Sequence, residues 1–420
     1  MKKRIAVIGA LDTKGSDYIF IKSEIERRGH IAYIIDTGIL GESPITPDVS
    51  AEEVAQSSGI TLSELRQLHD KGKAMEAMTR GVAIVVKRLH LEGKIDAAFS
   101  MGGSNGTIIG TSALRALPLG VPKLMVSTVA SGDTKPYVGN SDVVMFPSIL
   151  DVSGVNRFSA QIYANAVGAI VGMIETGTPE LEHKPLITAS MFGNTTTLVN
   201  RCKDLIEKKG YEMLIFHAVG TGGQTMDSLI ENRFVDGVLD LTTTELADEL
   251  VGGVLTAGPD RMNAAAKWSV PQVIAPGCLD MVNFWGMETV PEKFRDRLLY
   301  PWNPNITLMR TTPEENEKLG KLLATKANQA KGETAIFLPL KGLSELDSPG
   351  NEFWWPEANQ ALFDAIKDTI REDIPVYELD CNINDEEFAK AATAKLFEIL
   401  KKENELTNEG EADNAIHSTK

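Results

Sequence analysis

Four loops in the first 160 residues gather the residue types that hold phosphate. Gly9-Ala-Leu-Asp12-Thr13-Lys14-Gly15 places a carboxylate, a hydroxyl and an ammonium directly behind an apolar run. That set suits an anion carrying a bound cation, although Asp12 or Thr13 could equally cap a helix and leave Lys14 in solvent. Ser100-Met-Gly102-Gly103-Ser104-Asn-Gly106-Thr107 ends another apolar run and opens a helix-like segment. Backbone N–H groups at such a turn converge on one spot, where the helix dipole favours an anion. The loop has neither the Lys of a Walker A motif nor the third glycine of the dinucleotide fingerprint. A tight packing turn is therefore the competing reading. Ser127-Thr128-Val-Ala-Ser-Gly-Asp133-Thr134 adds small hydroxyl donors, and residues 140–157 supply a fourth polar stretch. Donors outnumber carboxylates in these loops, which suits a nucleotide phosphate with Mg²⁺.

The second half offers a different set. Gly220-Thr-Gly-Gly223 follows a strand-like run and opens a helix, and His217 stands at the end of that run with a side chain that titrates near neutrality. Glu245, Asp260, Arg261 and Asp280 fall in or beside loops, and together with His217 they are the candidate catalytic residues of this half. Glu245 also fits the first turn of a helix capped by Thr242 or Thr243. Cys202, Cys278 and Cys381 are odd in number and far apart, so neither a disulfide framework nor a CxxC zinc site is expected.

These loops need a frame of parallel strands. Residues 5–10 read as a buried strand, 11–16 as a loop, the stretch from there through Arg28 as an amphipathic helix stopped by Gly29, and 30–36 as the next strand. The order returns at 186–191, 196–209 with Gly210 as stop, and 211–217. Sliding the chain by 181 positions superposes Lys22 on Lys203, Ile25 on Ile206, Glu26 on Glu207 and Gly29 on Gly210. Later, 96–100 corresponds to 236–240, and 121–126 to 270–275. Strands alternating with helices predict an α/β protein of two Rossmann-like, doubly wound subdomains with parallel sheets, arising from an internal repeat. The first subdomain spans 1–178 and carries a helical insertion at about 50–92; the second spans 179–403, after a Gly/Pro-punctuated linker at 175–180. A polar tail at 404–420 is expected to be disordered.

Composition narrows the function. A net charge of −16 opposes a nucleic-acid partner, and no apolar run is long enough to cross a bilayer. The start runs straight into a strand with no signal peptide, which with the unpaired cysteines predicts a cytoplasmic protein.

The motifs Gly9-x-x-Asp-Thr-Lys14, Ser100-Met-Gly-Gly-Ser-Asn-Gly-Thr107, Val126-Ser-Thr-Val-Ala-Ser-Gly-Asp-Thr134, Gly220-Thr-Gly-Gly223, Leu239-Asp-Leu-Thr-Thr-Thr-Glu-Leu-Ala-Asp248 and Met309-Arg-Thr-Thr-Pro-Glu-Glu315 occur in order across roughly residues 3–400. In these the chain resembles the N-terminal ATP-binding domain family of the plant tomato mosaic virus resistance protein and its uncharacterised bacterial relatives. The resemblance implies two Rossmann-like subdomains, ATP with Mg²⁺ at the first, and a homodimer. It places the nucleotide on Asp12, Thr13, Lys14, Gly102, Gly103, Ser104, Gly106 and Thr107, with Ser127, Thr128, Asp133 and Thr134 as further wall. The plant relative continues into a barrel domain that this sequence lacks, so its antiviral role is not expected to carry over. The resulting expectation is an ATP-binding protein, whose use of the nucleotide on a small ligand in the interdomain cleft is open. The alternative is a nucleotide-independent lyase or hydrolase of a small oxo-, hydroxy- or sugar acid, working through the second-half residues. A two-lobed sensor without turnover is the third reading.

Overall fold

The run Ile5-Ala-Val-Ile8 has no polar side chain, and such a strand is stable only with both of its faces covered. All four residues are fully buried. The chain was built as a computed structural model that describes residues 2–68, 70–177 and 182–417, with side chains as far as Lys402. It divides into two compact units, residues 1–181 and 182–420.

Unit 1 runs β1 (Arg4–Gly9), α1 (Leu11–Arg27), β2 (Ile31–Asp36), α2 (Ala51–Ser57), α3 (Leu62–Gln67), α4 (Lys71–Leu91), β3 (Ala97–Gly102), α5 (Ser104–Arg115), β4 (Lys123–Ser127), α6 (Lys135–Val138), β5 (Val144–Pro147) and α7 (Arg157–Glu175). The strands form one parallel sheet in the order β2-β1-β3-β4-β5. On one face α1 lays down Leu11, Tyr18, Ile21 and Ile25, which meet Tyr163, Ala166, Val167 and Ile170 of α7. On the other, α4 and α5 bury Val82, Val85, Val86, Ile109, Ala113 and Leu114. Gly81 lets α4 cross α2, because a Cβ there would meet the Val54 carbonyl. The insertion expected at about 50–92 is thus α2, α3 and α4. The stretch from 140 read as a loop runs instead into the edge strand β5.

Unit 2 runs β6 (Leu186–Met191), α8 (Thr196–Glu207), β7 (Glu212–His217), α9 (Thr221–Glu231), β8 (Gly237–Thr242), α10 (Glu245–Val251), α11 (Asn263–Trp268), β9 (Gln272–Gly277), β10 (Met281–Phe284), β11 (Leu299–Asn303), β12 (Ile306–Arg310), α12 (Pro313–Ala327), β13 (Thr334–Pro339), α13 (Pro356–Thr369), β14 (Val376–Leu379) and α14 (Glu386–His417). Its main sheet is parallel, β14-β13-β9-β8-β6-β7. Read from β7, this is the strand order of unit 1 with one strand added. Both units are Rossmann-like α/β folds.

The repeat extends to single bonds. Gly29 N–H donates to Glu26 and His30 N–H to Ile25; Gly210 donates to Glu207 and Tyr211 to Ile206. Both stop glycines have positive φ, +89° and +85°, the left-handed helix end that glycine adopts at least cost. Asp96 accepts from the N–H of Arg4 at 2.8 Å, and Asp236 from that of Leu186 at 2.7 Å. Unit 2 also carries a three-stranded antiparallel sheet, β10-β12-β11, that the sequence reading did not anticipate. α14 takes in most of the tail expected to be disordered; residues 418–420, and linker residues 178–181, lie outside the described ones.

Candidate functional site

In open parallel sheets a ligand crevice forms at the carboxyl ends of the two strands where the winding reverses. In unit 1 those strands are β1 and β3. Their ladder stops at Ile8 and Ser100, and the Tyr18 hydroxyl takes over. It lies 2.8 Å from the Ile8 carbonyl and 2.5 Å from that of Met101, and accepts from the Met101 N–H at 3.2 Å. Burial raises the Tyr18 pKa, so the phenol keeps its proton. Gly9 must lack a side chain because a Cβ would strike this hydroxyl.

Beyond the phenol opens a cavity of about 1060 Å³. Part of its lining is polar and glycine-rich. α5 starts there with Gly103 as N-cap and no side chain capping it, so the N–H groups of Ser104, Asn105 and Gly106 have no intrahelical acceptor. A Cβ on Gly103 would come no nearer than 3.8 Å to any atom, whereas one on Gly102 would sit 2.8 Å from the Gly106 Cα. Gly102 is thus required for the turn, and Gly103 leaves the approach clear.

Asp12, Thr13 and Lys14 line the same cavity. Lys14 has non-helical φ −125°, which offsets the first turn of α1. Its ammonium donates to the Val152 carbonyl. One Asp12 oxygen accepts from the Leu40 and Gly41 N–H groups at 2.7 and 3.1 Å, while the other is buried without a partner. That orphaned oxygen, with the Thr13 hydroxyl beside it in sequence, fits a hard cation. Among the described residues no three carboxylate, His or Cys side chains cluster to hold a metal. The site therefore suits an ion such as Mg²⁺ that keeps waters and takes its other ligands from phosphate.

The lining also includes the apolar side chains of Ile39, Leu65, Ala74 and Met75, with the basic groups of Arg66 and Lys71. Sequence reasoning missed this wall. Its only signal was an amphipathic insertion placed between β2 and β3.

Five expected residues lie away from the lining. Thr107 and Ser127 are buried and satisfy each other at 2.7 Å beneath α5. Thr128 and Asp133 are exposed, Asp133 accepting from the Lys135 N–H, and Thr134 is half-buried. The cavity gathers Asp12, Thr13, Lys14, Gly102, Gly103, Ser104 and Gly106.

Unit 2 does not bring its five candidates into one site. Glu245 and Arg261 pair at 2.6 Å, and Arg261 forks onto Asp240, which the sequence reading had not singled out. Burial alone would lower the Arg261 pKa, but the charges of Asp240 and Glu245 outweigh it and raise it. Asp280 belongs to a separate buried network: it accepts from Ser344 at 2.8 Å, and its neighbour Asp347 pairs with Arg310. Burial, with Asp347 beside it, pushes the Asp280 carboxyl up to about 7. His217 and Asp260 are exposed. Cys278 is buried and its thiol pKa raised by burial, so it is no nucleophile.

Two Rossmann-like α/β units, the first with an uncapped helix facing a switch-point cavity, define the class. Residues 3–179 match the N-terminal domain, and residues 184–400 the C-terminal domain, of the uncharacterised protein family UPF0261. The chain belongs to that family. A UPF0261 protein of Clostridium tetani is 50% identical over 404 residues, covering 96% of this chain and all of the relative. The ToMV resistance protein Tm-1(GCR237) of Solanum lycopersicum is 40% identical over 341 residues, covering 79% of this chain and 45% of that longer protein. The family expected from the motifs is therefore borne out. Among solved structures, a UDP-GlcNAc 2-epimerase of Methanocaldococcus jannaschii matches at 12% identity over 64% of this chain and 83% of that one, with a TM-score of 0.23. A score that low carries no argument about function. No helix among the described residues is long and apolar enough to cross a membrane.

Proposed function

We propose that unit 1 binds ATP with Mg²⁺, the phosphates lying over the start of α5 and the nucleoside toward the apolar wall of the insertion. The observation that carries this reading is the uncapped N-terminus of α5 opening into a cavity that also contains Lys14. The volume is that of a pocket for a small organic molecule and exceeds what a bare phosphate needs. Asp12 would hold the cation through its free oxygen. Turnover on a second small ligand is part of the same proposal, as are the homodimer that the resemblance implies and a cytoplasmic location.

The nucleotide-independent lyase or hydrolase has less support, because Glu245, Arg261 and Asp280 are already engaged with buried partners. Calorimetric titration of the full chain with Mg-ATP tests the proposal. Saturable binding is expected, and Lys14→Ala should weaken it roughly 10- to 100-fold, the worth of one charge-assisted hydrogen bond. No binding by the wild-type chain overturns the proposal; unchanged affinity in the variant removes Lys14 from it.

A further inference from the structure

Unit 2 also has an uncapped helix start at a glycine turn, at a different place in the repeat, and there the opening is filled. α9 begins at the glycine turn Gly220-Thr-Gly-Gly223 with no cap from its own neighbours. The side chain of Glu245, the first residue of α10, enters the turn from 25 residues away. Its Oε1 accepts from the Gly220 N–H at 2.8 Å and the Gly223 N–H at 3.2 Å. Its Oε2 takes the Arg261 Nε–H at 2.6 Å. Arg261 is held in turn by Asp240 through two further bonds of 2.6 Å, and Asp240 also accepts from the Ser190 hydroxyl at 2.7 Å. Glu245 and Arg261 are each only 1% exposed.

The surrounding backbone is shaped to this carboxylate. A Cβ on Gly223 would overlap Glu245 Oε2 and stand 2.6 Å from Arg261 Nε. Gly220 has φ +85° and lies against the Thr256 carbonyl, which a Cβ would approach to 2.5 Å. Two backbone donors at the start of a helix, facing a guanidinium, form the donor set by which proteins hold a free carboxylate. An ordinary helix cap is local and needs no arginine behind it.

We propose that this turn is an anion site whose built-in ligand is Glu245, and that removing that side chain opens a site for small monocarboxylates of the formate and acetate type. In the native chain the glycine turn of unit 2 is consequently closed to external anions. This inference is independent of nucleotide binding in unit 1.

Thermal unfolding of the full-length Glu245→Ala variant, in sodium formate against sodium chloride at equal ionic strength, tests it. Leaving Arg261 and two N–H groups without their partner should lower Tm by roughly 10 °C. Formate should recover part of that loss saturably, and should leave the wild type unmoved relative to chloride. Equal Tm values for the variant in the two salts overturn the proposal. Glu245→Gln keeps the shape and one oxygen acceptor but not the charge, and it decides the matter should the alanine variant fail to fold. A Tm several degrees below wild type supports an anion requirement, and a wild-type Tm overturns it.

Discussion

A single hydroxyl defines the mouth of the unit 1 cavity. Strands β1 and β3 must pair to make a sheet and must part to make a crevice, and the Tyr18 phenol bonds both at the point of parting. Tyr18→Phe would leave the buried Met101 N–H and the Met101 carbonyl without the phenol, while the Ile8 carbonyl keeps the Ser100 hydroxyl at 2.9 Å. The expected cost is about 1–3 kcal/mol, read by urea unfolding, with a parallel loss of nucleotide affinity.

Buried carboxyls give a second residue-scale effect. Burial pushes Asp227, Asp248 and Asp280 up to about 7 from an ordinary carboxylate value of 3.8. Each is therefore protonated in the folded chain at pH values where it is ionised in the unfolded chain. Their contribution is fully present below about pH 4 and is lost as pH rises through 7. Tm should fall between pH 5 and 8. Asp227, whose Oδ1 has no partner, is the clearest test. Asp227→Asn should leave Tm unchanged below about pH 4 and raise it progressively up to about pH 7, flattening the profile by up to about 1.4 kcal/mol per pH unit. An unchanged profile would remove Asp227 as its source.

At the scale of elements, periodicity carried much of the reading. The stretches now seen as β1, α1, β6 and α8 were legible because a fully apolar run and an i, i+3, i+4, i+7 stripe each allow few arrangements, and the stop glycines punctuate them. The antiparallel sheet was hidden for the opposite reason. Its strands are four or five residues long and include Pro301, Trp302 and Asn303, too short for a period to register. Asn303-Pro304-Asn305 was the one turn signal available. The cavity wall escaped for another reason: a helical stripe shows which face is apolar, not what lies opposite. Pairings such as Arg261 with Asp240 and Arg310 with Asp347 join distant loops and leave no trace in spacing. The same limit misplaced Thr107 and Ser127, whose hydroxyl types were read correctly but which pair with each other.

That wall is open to test. Met75, on α4, is half-buried and lines the cavity. Met75→Trp would fill space without displacing a core residue. Nucleotide affinity should drop on the order of 10-fold or more while the circular dichroism and Tm stay near wild type. Unchanged affinity would put the nucleoside elsewhere in the cavity.

For the whole molecule, the two halves carry an uncapped glycine-turn helix start at different places in the repeat, after β3 in the first and after β7 in the second, and treat it differently. Unit 1 leaves α5 facing a cavity; unit 2 closes α9 with Glu245. Each unit has a parallel sheet covered on both faces, by the clusters around Val82 and Tyr18 in the first and around Leu198 and Leu319 in the second. A unit with its own two-sided core has what independent folding requires. Residues 1–181 expressed alone should therefore unfold cooperatively and bind Mg-ATP within about threefold of the full chain, since every group assigned to the phosphates and the nucleoside lies before residue 111. Residues 182–420 alone should fold and bind none. If the first fragment folds but loses more than about 10-fold in affinity, the nucleotide draws on the second unit. If the second fragment binds Mg-ATP, the division of labour between the two halves is wrong.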